Sequence, residues 1–361
     1  MPIITAPQDF NVEDLYVDLG PVLGTGLHLK CEGFNFAGSI KLKAAAAMVA
    51  QAEESGLLTE RSILVESSSG NLGVALSMIA AERGYRFLCV TDSRCNLNTR
   101  RLMESMGAEV RSVNQPDGEG GYLAARLRYV RELCAADPRY VWLNQHGNPH
   151  NWMAHHRTTA PAIARQFPEL DVLFVGAGTT GTLMGCARYF RERQRPVTVV
   201  AVDTVGSVTF GGPPQPRMIP GLGAGVRPPL LDRSYVDDVV MVPEAETVRV
   251  CRRLAAAGFL FGGSTGTVIA GAQRWLAAHR AAAERGGADR GGAGRGGAPL
   301  TAVAISPDLG ERYLDTIYQD SWVRDVYGEA GFGETGFDGH GAAGADRTPA
   351  AQDSVLPAAA R

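Results

Sequence analysis

No Cys-x-x-Cys pair occurs in this 361-residue chain, and its six cysteines, at positions 31, 89, 95, 134, 186 and 251, stand far apart. In a chain of this length that spacing argues against a disulfide framework and for reduced thiols in the cytoplasm. Long apolar runs are also missing. No stretch approaches the roughly 20 residues that a membrane span needs, and the start, Met1-Pro2-Ile3-Ile4, lacks the basic and apolar regions of a signal peptide. Neither charge dominates, since 35 Lys and Arg face 38 Asp and Glu for a net −3. Nucleic acid and acidic membrane surfaces are therefore not expected partners. What the chain has is apolar side chain, 45% of all residues. That is enough for a substantial core, and the length fits about two domains.

Short β-rich runs alternate with helical ones from residue 62 to about 310. Strands are expected over 62–65, 86–90, 109–113, 140–143, 172–175, 197–202, 239–242 and 301–305, and helices over 71–83, 97–106, 122–136, 182–191, 244–257 and 267–279. Glycines closing the helices and apolar runs before turns mark the boundaries. Such alternation implies parallel sheets with right-handed crossovers, and the strand count favours two sheets. Residues 285–298 (RGGADRGGAGRGGA) contain no apolar residue larger than Ala and read as a flexible loop. Residues 328–361 are rich in Gly, Ala and polar side chains and read as a disordered tail.

Three stretches carry the chemistry. Lys41 ends Gly38-Ser39-Ile40-Lys41, just before an apolar helix. A lysine at a helix start lies near positive dipole and can be desolvated, and both lower its pKa and favour imine formation. Ser67-Ser68-Ser69-Gly70-Asn71-Leu72-Gly73 joins a strand to a helix, a junction that aims several N–H groups at one anion. The bland reading of it is a serine-rich N-cap. Residues 176–182, Gly-Ala-Gly-Thr-Thr-Gly-Thr, form a similar junction. The G-x-G-x-x-G match also fits a dinucleotide site. Three threonine hydroxyls, and the lack of an acidic residue about twenty positions on, favour a monophosphate cradle. An amine, an anion loop and a phosphate cradle together are the parts that hold pyridoxal 5'-phosphate. The adjacent His155 and His156 would point about 100° apart on a helix, so no metal site is expected.

These motifs, with Gly262-Gly263-Ser264-Thr265-Gly266 and Pro307-Asp308-Leu309-Gly310-Glu311-Arg312-Tyr313, follow the order and spacing of the cysteine synthase/cystathionine β-synthase family. The chain resembles that family from about residue 15 to 320. The resemblance implies a fold-type II pyridoxal-phosphate enzyme: two three-layer α/β/α domains with the cofactor in the cleft between them, in a homodimer. Residues 13–44 and 154–325 would form the larger domain and 45–153 the smaller one. Lys41 would carry the cofactor, and Asn71 would bond its ring hydroxyl. Gly178, Thr179, Thr180, Gly181 and Thr182 would hold its phosphate, and Ser264 would face its pyridine nitrogen. Ser68, Ser69, Asn71 and Gln145 would hold the substrate carboxylate.

Departures narrow the resemblance. Leu42-Lys43 replaces the usual Asp-Arg after the lysine, and Leu72 stands where Thr is common. Trp152 places a large aromatic near the expected site, and Gly223 lies in a loop flanked by Arg217 and Arg227. These features resemble the branch that joins O-phospho-L-serine to L-glutamate through an aminoacrylate, giving the 2,3-diaminopropionate precursor N-(2-amino-2-carboxyethyl)-L-glutamate. The expected reaction is β-replacement. A cysteine synthase using O-acetylserine or O-phosphoserine with sulfide is the alternative. A dianionic leaving group and a dicarboxylate acceptor call for guanidinium groups, so Arg217 and Arg227 are the candidates, with Arg94 and Arg100 behind them.

Overall fold

The computed structural model describes residues 3–10, 12–116, 121–286 and 299–332. Two sheets organise them. The smaller contains β3 (Ile63–Ser67), β4 (Arg86–Asp92), β5 (Glu109–Val113) and β6 (Tyr140–Trp142), all parallel, in the order β5-β4-β3-β6. The larger combines β1 (Tyr16–Asp18), β2 (His28–Cys31), β7 (Val172–Gly176), β8 (Thr198–Thr204), β9 (Asp238–Val242) and β10 (Ala302–Ser306), in the order β1-β2-β10-β7-β8-β9. Only β1 runs antiparallel to its neighbour. The two parallel α/β sheets expected from the alternation are present.

Strands buried on both faces need helices on both sides. The small sheet packs Leu64 and Phe87 beneath α2 (Lys41–Glu54) and α3 (Asn71–Arg83), while Val65, Leu88 and Val90 meet Val130 of α5 (Gly121–Ala136) on the other face. The pleat divides β7 of the large sheet in the same way. Phe174 joins Ile269 of α10 (Gly263–Gly286), and Leu173 and Val175 join Leu183 and Phe190 of α8 (Gly181–Glu192).

Four differences from the sequence expectations are physical. The edge strands β1 and β2 are only three and four residues long, too short for a periodic signal, and β2 carries the buried Lys30. Helices α6 (Pro149–Arg157) and α7 (Thr159–Gln166) form where no element was expected. Helix α10 begins at Gly263, four residues early, because the glycines there meet neighbouring atoms directly: a Cβ on Gly266 would lie 2.2 Å from Cys251 Sγ. Finally, α11 (Asp320–Tyr327) leads into a 3-10 turn, Gly328–Gly331, and Phe332 packs against a small core with Tyr313 and Val323. Packed structure thus continues past residue 328, where the tail was expected to start. The rest of that tail, 333–361, lies outside the described residues, as does the low-complexity loop from 287 to 298.

Candidate active site

In each sheet the strand order reverses once, between β3 and β6 and between β7 and β10. Loops leaving adjacent strands diverge at such a reversal and open a crevice at the carboxyl ends. Both crevices open on one cavity of about 780 Å³. Lys41, residues 67–72, Gln145, residues 178–182, Gly223 and Ser264 all line it.

Lys41 is the first residue of α2, and the turn before it is tied to the end of β10. Ile40 N donates to Pro307 O at 2.8 Å, Leu309 N donates to Gly38 O at 3.2 Å, and Gly38 takes the left-handed φ of +62° that the turn requires. The lysine amine lies 3.5 Å from Thr179 Oγ1. Burial pushes its pKa down to about 8, against the opposing charge of Glu66. An amine lowered this far has an appreciable neutral, nucleophilic fraction near physiological pH.

The segment from Gly176 to Thr182 bends between β7 and α8. Thr180, the N-cap of α8, adopts a left-handed φ of +65°, and its buried hydroxyl has no protein partner. Gly178 and Gly181 leave no room for a side chain: a Cβ would lie 2.8 Å from Gly221 O and 2.1 Å from Asn151 Oδ1, respectively. An orphaned hydroxyl, a helix N-terminus and a backbone stripped of Cβ atoms fit a phosphate group. With Lys41 alongside, the residues present fit pyridoxal 5'-phosphate.

The loop after β3 is braced from below by Glu66, which takes bonds from Ser67 N (2.8 Å), Trp142 Nε1 (3.0 Å) and Gln145 N (2.9 Å). Burial raises its pKa to about 7 despite those donors. Glu66 therefore fixes the β3 and β6 loops to each other, and Gln145 Nε2 adds a bond to Ser67 O at 2.8 Å. Ser68 Oγ caps α3 by accepting from Gly70 N and Gly73 N at 3.2 and 3.0 Å. The capping reading of this loop is thus true of Ser68, whose own proton stays available. Asn71 Oδ1 accepts from Arg312, a donor-only group, so its Nδ2 faces buried Asp308, 3.5 Å from Oδ2. Asn96 Nδ2 reaches the Arg312 carbonyl at 2.6 Å and Asn98 Nδ2 reaches Asp315 Oδ2 at 3.1 Å, so three asparagines on the small-sheet side clasp the segment after β10.

Ser264 lies in the first turn of α10, buried under Gly221, whose Cβ would approach Ser264 Oγ to 2.2 Å. Tyr313 neighbours it and donates to Asp308 Oδ2 at 2.6 Å. Asp308 also accepts from Thr265 N and Oγ1 at 3.1 and 3.0 Å.

The arginines divide. Arg217 lines the cavity, half-buried, with NH1 on Leu222 O at 3.1 Å and Nε unpaired; burial lowers its pKa, and Asp203 opposes the shift. Arg94 also lines it, paired with Asp92. Arg227 is exposed and does not line it, whereas Gly225, two residues earlier, does; Arg100 pairs with Glu104 on an exposed helix face. Trp152 is likewise not at the cavity but packs with the α8 core, under Arg188. His155 and His156 face different partners, Thr159 with Thr182 and Glu192 respectively. The cavity residue most clearly missed is Arg126 of α5. It is 5% exposed, its Nε is 3.2 Å from Asp92 Oδ2 but poorly aligned, and neither Nε nor NH1 has a hydrogen-bond acceptor. Its signal was present in the sequence: an arginine within the apolar stripe Leu123, Leu127, Val130.

A doubly wound pair of sheets, a desolvated lysine and a phosphate cradle define a fold-type II pyridoxal-phosphate enzyme. Residues 16–288 match the model of the family described as "Pyridoxal-phosphate dependent enzyme", and the chain belongs to that family. It is similar to N-(2-amino-2-carboxyethyl)-L-glutamate synthase of Ralstonia nicotianae, with 39% identity over 290 residues, 80% of this chain and 81% of the relative. The Cupriavidus metallidurans protein of the same name is 38% identical over equal shares. Among solved structures, O-ureido-L-serine synthase superposes with a TM-score of 0.74 at 32% identity, covering 90% of this chain and 96% of that one. The resemblance read from the sequence, including its branch, is borne out, and the cofactor is pyridoxal 5'-phosphate.

Proposed function

We propose that this enzyme replaces the phosphate of O-phospho-L-serine by the amine of L-glutamate, giving N-(2-amino-2-carboxyethyl)-L-glutamate and phosphate. The carrying observation is the buried, under-bonded guanidinium of Arg126 in a cavity that also takes in Arg94, Arg217 and Arg312. Four guanidinium groups suit a phosphate leaving group and a dicarboxylate acceptor, and an acetyl ester with sulfide would need none.

Pyridoxal phosphate, held by Lys41, residues 178–182 and Ser264, supplies the electron sink that acidifies the α-proton of a bound amino acid. Lys41, its pKa lowered by burial, takes that proton. Ser68, Ser69, Asn71 and Gln145 hold the α-carboxylate. Arg126 and Arg94 face the departing phosphate, while Arg217 beside Gly223 receives a carboxylate of glutamate. His146, driven to about 4 by burial and by Lys41, lines the cavity as a neutral group. Competition assays decide the reading: O-phosphoserine against O-acetylserine, and glutamate against sulfide. Equal or better use of the acetyl ester, with sulfide outcompeting glutamate, would make it a cysteine synthase.

The same proposal takes the chain as a cytoplasmic homodimer whose domains divide at residues 13–44 with 154–325 and 45–153. Exposed aromatic side chains support the dimer: Phe36 (61% exposed) packs at a tilt against Phe10, ring centroids 5.3 Å apart, with Phe34 close in sequence. Among the described residues, no helix is long and apolar enough to cross a membrane.

A further inference from the structure

Behind the cradle runs a buried polar chain that the proposed reaction leaves unused. Lys43 does not line the cavity; its ammonium pairs with Glu32 Oε2 at 2.8 Å and reaches Thr159 Oγ1 at 3.4 Å. Thr159, fully buried, lies 3.2 Å from His155 Nδ1. His155 Nε2 lies 3.2 Å from Thr182 Oγ1, and Thr182 lines the cavity.

Counting donors orders every proton in this chain. An ammonium has no acceptor to offer, so Thr159 Oγ1 receives from Lys43, and the acceptor within reach of its own proton is His155 Nδ1. Burial holds the imidazole neutral, its pKa pushed down to about 3, with Glu32 opposing and Lys43 and Lys41 assisting. A neutral ring that accepts at Nδ1 carries its hydrogen on Nε2 and donates it to Thr182 Oγ1. Thr182 accepts from His155, so its own proton is not used there and is free for the cavity, beside one spare lone pair.

We propose that Lys43, Thr159 and His155 form a proton-ordered relay that keeps the Thr182 proton free to donate to the phosphate of the cofactor. The three act as positioning residues, because they prevent that proton from being spent on His155. The inference rests on residues 178–182 being the phosphate cradle.

The test uses apoenzyme and two probes, pyridoxal 5'-phosphate and pyridoxal, titrated by fluorescence. Thr182→Val and Thr159→Val should each weaken the phosphorylated probe, by about 10- to 100-fold for Thr182, the range of a hydrogen bond to a charged group. Both should leave pyridoxal unchanged. The double variant should be no worse than Thr182→Val alone, because Thr159 acts through Thr182. ¹⁵N–¹H correlation spectra should show His155 as the Nε2–H tautomer, and Lys43→Arg should retain affinity that Lys43→Met loses. Additive losses, equal losses for both probes, or an Nδ1–H tautomer would overturn the relay. A neutral Thr182→Val would overturn the cradle itself.

Discussion

Replacing Arg126 by leucine separates donor recognition from everything else the cavity does. The guanidinium is 5% exposed, and two of its nitrogens lack acceptors. Its loss leaves Asp92 paired, because Arg94 still donates to that carboxylate through N, Nε and NH2 at 2.9, 3.1 and 2.9 Å. The fold should therefore survive with a cost of about 1–3 kcal/mol, typical of removing one partner from a buried pair that keeps another. A desolvated phosphate that loses its guanidinium should lose about 2–4 kcal/mol of binding, or roughly 30- to 1000-fold in kcat/KM. O-Acetylserine, with no charge on its leaving group, should change by less than about 3-fold on the same reasoning. Arg126→Lys should recover part of the loss, since it restores charge but not the two-pronged fork. Single-turnover absorbance changes with each donor alone, before any acceptor is added, give the comparison directly. If both donors lose equally, Arg126 serves the scaffold and the reading of the cavity is wrong.

Three further outcomes follow from the same geometry. Because the neutral amine is the reactive form and burial places Lys41 near 8, the rate of cofactor incorporation into apoenzyme should rise with pH to a midpoint near 8; an unshifted midpoint near 10.5 would refute the burial. Glu66→Gln removes the charge that holds that value up, so the midpoint should move to lower pH; a move upward would mean the two groups are not coupled. Tyr313→Phe deletes the 2.6 Å bond to buried Asp308 and should destabilise the enzyme by about 1–3 kcal/mol in denaturant titrations, whereas an unchanged midpoint would mean the bond contributes nothing net.

The parts of the site legible in the sequence were those whose geometry is local. A loop between a strand and a helix presents its N–H groups wherever the sheet lies, so residues 67–73 and 176–182 could be read as anion-binding junctions from order and composition, while the roles of Ser68, Asn71 and Thr180 came from the family resemblance. Arg227 was misplaced because nearness to Gly223 along the chain is not nearness in space: this loop lines the cavity as far as Gly225, and Arg227 is exposed. Trp152 was misplaced because α6, not foreseen, turns it toward α8. Arg126 was missed although its place in the apolar stripe of α5 marked it, and Glu66 was missed for the opposite reason. Its work depends on which strands are neighbours, and only the sheet order puts β6 beside β3 so that one carboxylate can brace two loops.

The clasp formed by Asn71, Asn96 and Asn98 has a consequence for how the enzyme responds to its medium. Each of these asparagines brings a neutral amide, not a charge, to Arg312, Asp308 or Asp315. Dissolved ions screen charge against charge and act only weakly on such bonds. The arginines that await substrate are the reverse case, because their attraction for a doubly charged ester extends into solution and fades as the Debye length shrinks. Seawater-like salinity should therefore starve the enzyme of its phosphorylated donor while leaving the joint between its halves as tight as in dilute buffer.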